Sequence, residues 1–194
     1  MEVLNQKLVL VSKSPRRSQL LREAGFRFEV RTAEVDEVWP DDLPAEEVAT
    51  YLARVKAEGS RHLLRPGEIL LTADSVVILG GEVLGKPADR DEAIAMLERL
   101  SGNRHTVITG VCLLSQNRER VFAGRTEVWF WPMERDEIEW YVDRYRPYDK
   151  AGSYGVQEWI GLCRVRKIEG TYANVMGLPV DLVYEELKQF VGAT

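Results

Sequence analysis

The stretch Leu8-Val9-Leu10-Val11-Ser12-Lys13-Ser14-Pro15-Arg16-Arg17 decides the fold class. Four consecutive apolar residues suit a strand buried on both faces. Ser14 then stands as an N-cap, and Pro15 takes the first helical position, where its missing N–H costs nothing. Leu20, Leu21 and Ala24 mark one helix face and Gly25 reads as the stop. Strand, polar turn and helix follow one another directly.

The same alternation continues outward. After Pro44, the residues Val48, Tyr51, Leu52 and Val55 fall at amphipathic-helix spacing. Ile69-Leu70-Leu71 and Val76-Val77-Ile78-Leu79 predict strand, interrupted at Thr72-Ala73-Asp74-Ser75, and Gly80-Gly81 predicts a tight hairpin toward Val83-Leu84. Asp89 with Glu92 three residues on resembles a capping box, opening a helix that Ser101-Gly102-Asn103 ends. Two strands are expected over 106–114 and 121–130. A helical stripe of Ile138, Tyr141, Val142 and Tyr145 runs up to Pro147, and a last helix starts near Pro179. Helices mixed with strands, some joined by hairpins, predict an α/β chain with a mixed sheet.

Composition narrows the function. The chain has 194 residues, enough to bury a core without a disulfide or metal staple, and a net charge of −5 argues against nucleic-acid or anionic-membrane partners. No apolar run is long enough to span a membrane, and Met1 to Gln6 lacks the basic head and apolar stretch of a signal peptide. Cys112 and Cys163 stand far apart and read as free thiols of a reducing cytosol. His62 and His105 lie in no convincing site.

Several residues have the chemistry to bind and transform a phosphate. Ser12, Ser14, Arg16 and Arg17 place hydroxyls and guanidinium groups at a helix N-terminus, a natural receptor for an anion. A capped helix with two solvated arginines is the plainer reading of the same turn. Asp74 is a carboxylate inside an apolar run, which is costly unless paired or metal-bound; the alternative is an inert Asp at a strand break. Glu37, Lys56, Lys86 and the small-residue loop from Asp149 to Gln157, with Lys150, complete the set. Five cations (Arg16, Arg17, Lys56, Lys86, Lys150) and two carboxylates (Glu37, Asp74) match what triphosphate chemistry with a divalent metal requires.

Taken in order, Ser12-x-Ser14-Pro15-Arg16-Arg17, Ala73-Asp74-Ser75-Val76-Val77, Gly85-Lys86-Pro87, Leu100-Ser101-Gly102-x-x-His105, Asp149-Lys150-Ala151-Gly152-x-Tyr154-Gly155-x-Gln157 and Asn174-Val175-x-Gly177-Leu178-Pro179 resemble the motifs of the Maf family of nucleotide pyrophosphatases. The resemblance covers nearly the whole chain as one domain over 1–194. It implies the two-lobed fold shared with inosine-triphosphate pyrophosphatases, with the active site in the cleft between lobes. It also implies a cytoplasmic homodimer that hydrolyses nucleoside triphosphates to monophosphate and pyrophosphate with Mg²⁺ or Mn²⁺, as nucleotide-pool house-cleaning.

On that resemblance Asp74 is the proton acceptor; as carboxylates, Glu37 and Asp74 are expected to hold the metal. Arg16, Ser75 and Gln157 set base preference and are similar to the dTTP/UTP branch. Ser12, Ser14, Arg17, Lys56, Lys86 and Lys150 are expected on the phosphates. Activity on 7-methyl-GTP or other non-canonical nucleotides, or nucleotide binding without turnover in a regulator of septum formation, are the alternatives. Three departures stand out: Ser75 in place of Thr, Val55 in place of an acid before Lys56, and a bulky Glu158-Trp159-Ile160-Gly161-Leu162-Cys163 in place of a glycine-rich stretch.

Overall fold

A computed structural model describes residues 2–192. Its strands are β1 (Leu8–Val11), β2 (Phe28–Arg31), β3 (Ile69–Leu79), β4 (Glu82–Leu84), β5 (Arg104–Leu114), β6 (Glu119–Phe130) and β7 (Val165–Glu169). They form one mixed sheet in the order β2-β1-β3-β5-β6-β7, with β4 paired to β3. Helices α1 (Pro15–Glu23), α2 (Val48–Gly59), α3 (Arg90–Leu100), α4 (Arg135–Tyr145), α5 (Trp159–Cys163), α6 (Tyr172–Met176) and α7 (Val180–Gly192) flank it. No described helix is long and apolar enough to cross a membrane.

The chain divides into two compact units whose boundaries fall within β3, β5 and β6. The first takes in the described residues up to Asp74, Thr109–Gly124 and the chain from Gly177 onward; the second takes in Ser75–Ile108 and Arg125–Met176.

In the first unit β1 is an interior strand. It pairs in parallel with β2 on one side and β3 on the other, which is why all four of its residues are apolar and buried. Helix α2 seats on this sheet through Ala49, Ala53 and Ala57, each fully buried and spaced one turn apart. Ala53 and Ala57 pack with Val9, Val11, Leu70, Cys112 and Leu114 in one core cluster. Small side chains let the helix backbone approach closely, and the Thr72 hydroxyl donates to the Ala53 carbonyl at 2.6 Å. Burial in this core pushes the Cys112 thiol up to about 12, so it is an inert packing residue.

The expected break in β3 is overturned. The strand runs unbroken from Ile69 to Leu79, with Thr72, Ala73 and Asp74 all buried. Polar side chains persist there because α2 supplies their partners: Ala53 for Thr72 and Lys56 for Asp74. The Gly80-Gly81 hairpin forms as expected, with both glycines at positive φ (60° and 87°), where a side chain would be strained. Asp89 caps α3 by accepting the Glu92 N–H at 3.0 Å, while the Glu92 carboxylate takes the Ala88 N–H instead of closing a full box.

The end of β2 is held by a buried ion pair. Arg31 donates to both carboxylate oxygens of Glu68, at 2.6 and 2.7 Å, and to the Leu63 carbonyl at 2.5 Å. These bonds hold the Glu68 carboxyl down at about 2. A depressed native pKa means the unfolded chain binds the proton more readily between about 4.5 and 2, so this stabilisation is complete above about 4.5 and is lost as pH falls through about 2. Glu68→Gln is expected to lose about 2–3 kcal/mol at pH 7. In urea titrations the gap to wild type should narrow steadily on going from pH 5 to pH 3; a gap that stays constant would contradict the ion-pair account.

In the second unit α3 packs against α4 and against the turn at Ala151–Ser153. Gly152, at φ 67°, donates its N–H to the Gly85 carbonyl at 3.0 Å, and a Cβ there would fall 2.9 Å from Val77 Cγ2. His105, Phe130 and Tyr154 form an edge-to-face aromatic cluster in which His105 Nε2 and the Tyr154 hydroxyl lie 2.7 Å apart. Burial drives His105 down to about 3, so the ring is neutral and structural.

Candidate active site

The topology places the turn Ser12 to Arg17 where ligand sites of open α/β sheets form. The chain leaves β1 toward β2 on one side and later returns to β3 on the other, so the sheet order switches at β1. Ligands collect at the carboxyl ends of strands at such a point. The turn Ser12 to Arg17 begins where β1 ends. Asp74 lies on β3 just beyond Leu71, the partner of Leu10 in the β1–β3 register.

Three of the expected residues meet directly. The Lys56 ammonium, in the last turn of α2, pairs with Asp74 and with Glu37 Oε1, the latter at 2.8 Å. Asp74 is buried and Glu37 is exposed, so one ammonium links an interior carboxylate to a surface one. Local packing explains how the loop after β2 delivers Glu37. A Cβ on Gly59 would fall 2.8 Å from Val35 Cγ2, so the glycine at the end of α2 lets Val35, two residues before Glu37, pack there. Lys13 adds an exposed ion pair to Glu34 in the same loop, of small energetic weight.

Arg17 belongs to this group. Desolvation lowers its pKa, Asp74 and Glu37 oppose that and Arg16 reinforces it. Its Nε donates to the Gly177 carbonyl at 2.8 Å, which ties α1 to the start of α7 and gives the Gly177-Leu178-Pro179 motif a structural role. The Ser14 N–H donates to Ser12 Oγ at 3.1 Å, bending the turn, while the Ser14 side chain forms no capping bond to α1. That hydroxyl is not spent on the helix.

Ser75, Lys86, Lys150 and Gln157 belong to the second unit. Lys86 is exposed just after β4. Lys150 is 8% exposed and paired with Asp149 at 2.8 Å and Glu158 at 3.2 Å, so its ammonium is engaged within the loop that carries it. Gln157 Oε1 is buried and has no hydrogen-bond partner among the described residues. A buried orphan acceptor costs about 1–3 kcal/mol until a donor reaches it. Among the described residues, no group of three or more His, Cys, Asp or Glu is placed to hold a metal.

Sequence reasoning missed Tyr141 and Glu158. Tyr141 reads as one member of the α4 stripe, and its buried hydroxyl bonds Glu158 and the Gly155 N–H. Neither residue's spacing or type signals that bond; the sequence marks Glu158 only as the start of a bulky stretch.

The profile of the family described as Maf-like protein matches residues 7–190. The chain belongs to the Maf family. It is 50% identical over 184 residues to a dTTP/UTP pyrophosphatase of Bacteroides fragilis, covering 94% of this chain and 95% of that protein. A dTTP/UTP pyrophosphatase of Porphyromonas gingivalis is 49% identical over 187 residues, covering 95% and 94%. Among solved structures, the Staphylococcus aureus Ham1 protein aligns at 15% identity with a TM-score of 0.48, over 64% of this Maf chain and 72% of that one, a likeness too slight to argue from.

Proposed function

We propose that this Maf-family chain hydrolyses dTTP and UTP to the nucleoside monophosphate and pyrophosphate. The observation that carries the reading is the carboxylate of Asp74, held inside β3 at the sheet's switch point and bridged through Lys56 to Glu37. The names of the relatives supply the nucleotide class.

In this reading Asp74 accepts a proton from a water whose oxygen attacks the α-phosphorus. The bond from that phosphorus to the α–β bridging oxygen breaks, and the electron pair leaves with pyrophosphate. Lys56, Arg16, Arg17 and Lys86 offset charge on the phosphates, and Ser12 and Ser14 orient their oxygens. Lys150 serves less directly, since its ammonium already answers Asp149 and Glu158.

The donor set suits a hard divalent cation. Glu37 and Asp74 already gather around one positive charge and leave the trio with Lys56 net negative. Mg²⁺ and Mn²⁺ take one or two carboxylates and complete their shell with water and phosphate oxygens. Glu37 and Asp74 would hold such an ion, which when bound supplies further charge neutralisation on the phosphates.

Base preference rests on Gln157, with Arg16 and Ser75. An orphaned buried carbonyl oxygen suits the N3–H donor of uracil and thymine, whereas cytosine presents an acceptor at N3 and a donor only at N4. The serine at 75 keeps a hydroxyl where the branch has threonine.

Pyrophosphate release with Mg²⁺ or Mn²⁺ across dTTP, UTP, CTP, 7-methyl-GTP, ITP and XTP tests the whole reading. The expected result is kcat/KM for dTTP and UTP at least about 10-fold above that for CTP, the scale set by one unmatched buried polar group. Preference for another base would overturn the Gln157 assignment alone. Binding without release would overturn the enzyme and favour a nucleotide-responsive regulator.

A further inference from the structure

Glu158 directly follows Gln157 and opens the bulky stretch up to Cys163. Glu158 occupies the N-cap of α5 in an extended conformation, where a carboxylate ordinarily accepts the helix's own N–H groups, yet it makes no capping bond. Its carboxylate turns the other way. One oxygen accepts from the Tyr141 hydroxyl, and the other pairs with Lys150 at 3.2 Å.

Tyr141 is fully buried on α4, and burial with Glu158 as neighbour raises its pKa, so the phenol keeps its proton and donates. Its oxygen in turn accepts the Gly155 N–H at 3.0 Å. The backbone closes the same turn a second time, because the Glu158 N–H donates to the Gly155 carbonyl at 3.0 Å. Residues 155 and 158 are therefore joined twice, once by backbone and once through a rigid tyrosine on a neighbouring helix, with Val156 and Gln157 between them.

Two glycines make the closure sterically feasible. A Cβ on Gly155 would fall 2.8 Å from the Glu158 carboxyl carbon, and one on Gly161 would fall 1.7 Å from the Val156 carbonyl oxygen. The acceptor at the crest of this turn is Gln157 Oε1, buried and without a partner among the described residues. An orphaned acceptor can select for a donor only if it stays in place, since a loose amide would rotate to satisfy itself or to accept the wrong edge.

We propose that Tyr141 and Glu158 are positioning residues that fix the Gln157 amide for base selection, through the double closure of the Gly155–Glu158 turn. The proposal rests on the reading of Gln157 as the base contact. It assigns Glu158 a purpose: a carboxylate and a phenol stiffen a turn whose glycine would otherwise leave the backbone free. Selectivity, and not the chemical step, is what the device controls.

The test is the ratio of kcat/KM for UTP over CTP, together with kcat for UTP and the melting temperature. Tyr141→Phe removes one hydroxyl and keeps the ring. It is expected to lower the ratio about 10-fold, almost entirely through a raised KM for UTP, with kcat for UTP within about 3-fold of wild type. Glu158→Ala, at a half-buried position, should do the same should Tyr141→Phe fail to fold. Glu158→Gln keeps an acceptor for the phenol and should hold the ratio within about 3-fold of wild type.

A folded Tyr141→Phe or Glu158→Ala that discriminates as well as wild type overturns the positioning role while leaving Gln157 as the base contact. An equal fall in kcat for both nucleotides overturns it too, since that is what a purely structural residue would give. A wild-type chain that turns over UTP and CTP alike overturns the reading of Gln157 itself, and the positioning role with it.

Discussion

Asp74→Asn is expected to lower kcat for dTTP about 10³-fold while leaving the melting temperature within a few degrees and nucleotide affinity within a few-fold. The two side chains have nearly the same shape, so β3 and its packing against α2 survive. What is lost is the carboxylate that answers Lys56 from inside the strand and that, in the proposed mechanism, accepts the proton of the attacking water. Lys56 retains Glu37, at 2.8 Å, so the helix end is not left with an unmatched charge. Steady-state pyrophosphate release, with calorimetric nucleotide titration and thermal melts, separates the two effects. Comparable kcat for both proteins would refute the assignment of Asp74.

Gly110→Ala is expected to cost about 4 kcal/mol or more of folding stability, although it adds one methyl group far from any charge. A Cβ at Gly110 would fall 2.3 Å from the Ala49 carbonyl carbon and oxygen and 2.4 Å from the Thr50 amide nitrogen. All three are helix backbone, so no side chain can swing aside. To admit the methyl, α2 must lift from β5, and the Thr72 bond to Ala53 and the Lys56 bond to Asp74 both depend on that helix being seated. Activity should therefore fall along with stability. Urea unfolding measures the first, and a variant within about 1 kcal/mol of wild type would contradict this account of how α2 aims Lys56.

The parts of the fold legible in the sequence were those with a period. β1 is a continuous apolar run, α2 a stripe from Val48 to Val55, and α4 a stripe that stops before Pro147. Asp74 was legible as an anomaly and its surroundings were not. A polar tetrad inside an apolar run looks like a break unless one knows that a helix 18 to 19 residues upstream supplies a carbonyl to Thr72 and an ammonium to Asp74. Trp131 and Trp140 are exposed, while Trp129 is half-buried with Lys167 over its ring.

Helix α5, β7 and α6 went unread for a different reason. They are five residues each, and β7 breaks strict alternation with two consecutive exposed charges, Arg166 and Lys167, so no period emerges above the noise. Glu158 belongs to this stretch. Its importance lies in a bond to a tyrosine seventeen residues away, which neither spacing nor composition displays.

The central claim is that water attacks the α-phosphorus with Asp74 taking its proton. Turnover of dTTP in ¹⁸O-labelled water, with mass spectrometry of both products, tests it most directly. The account predicts one ¹⁸O in dTMP and none in pyrophosphate, because only the α-phosphorus gains a bond to water oxygen. Label in pyrophosphate, or release of orthophosphate in its place, would contradict it.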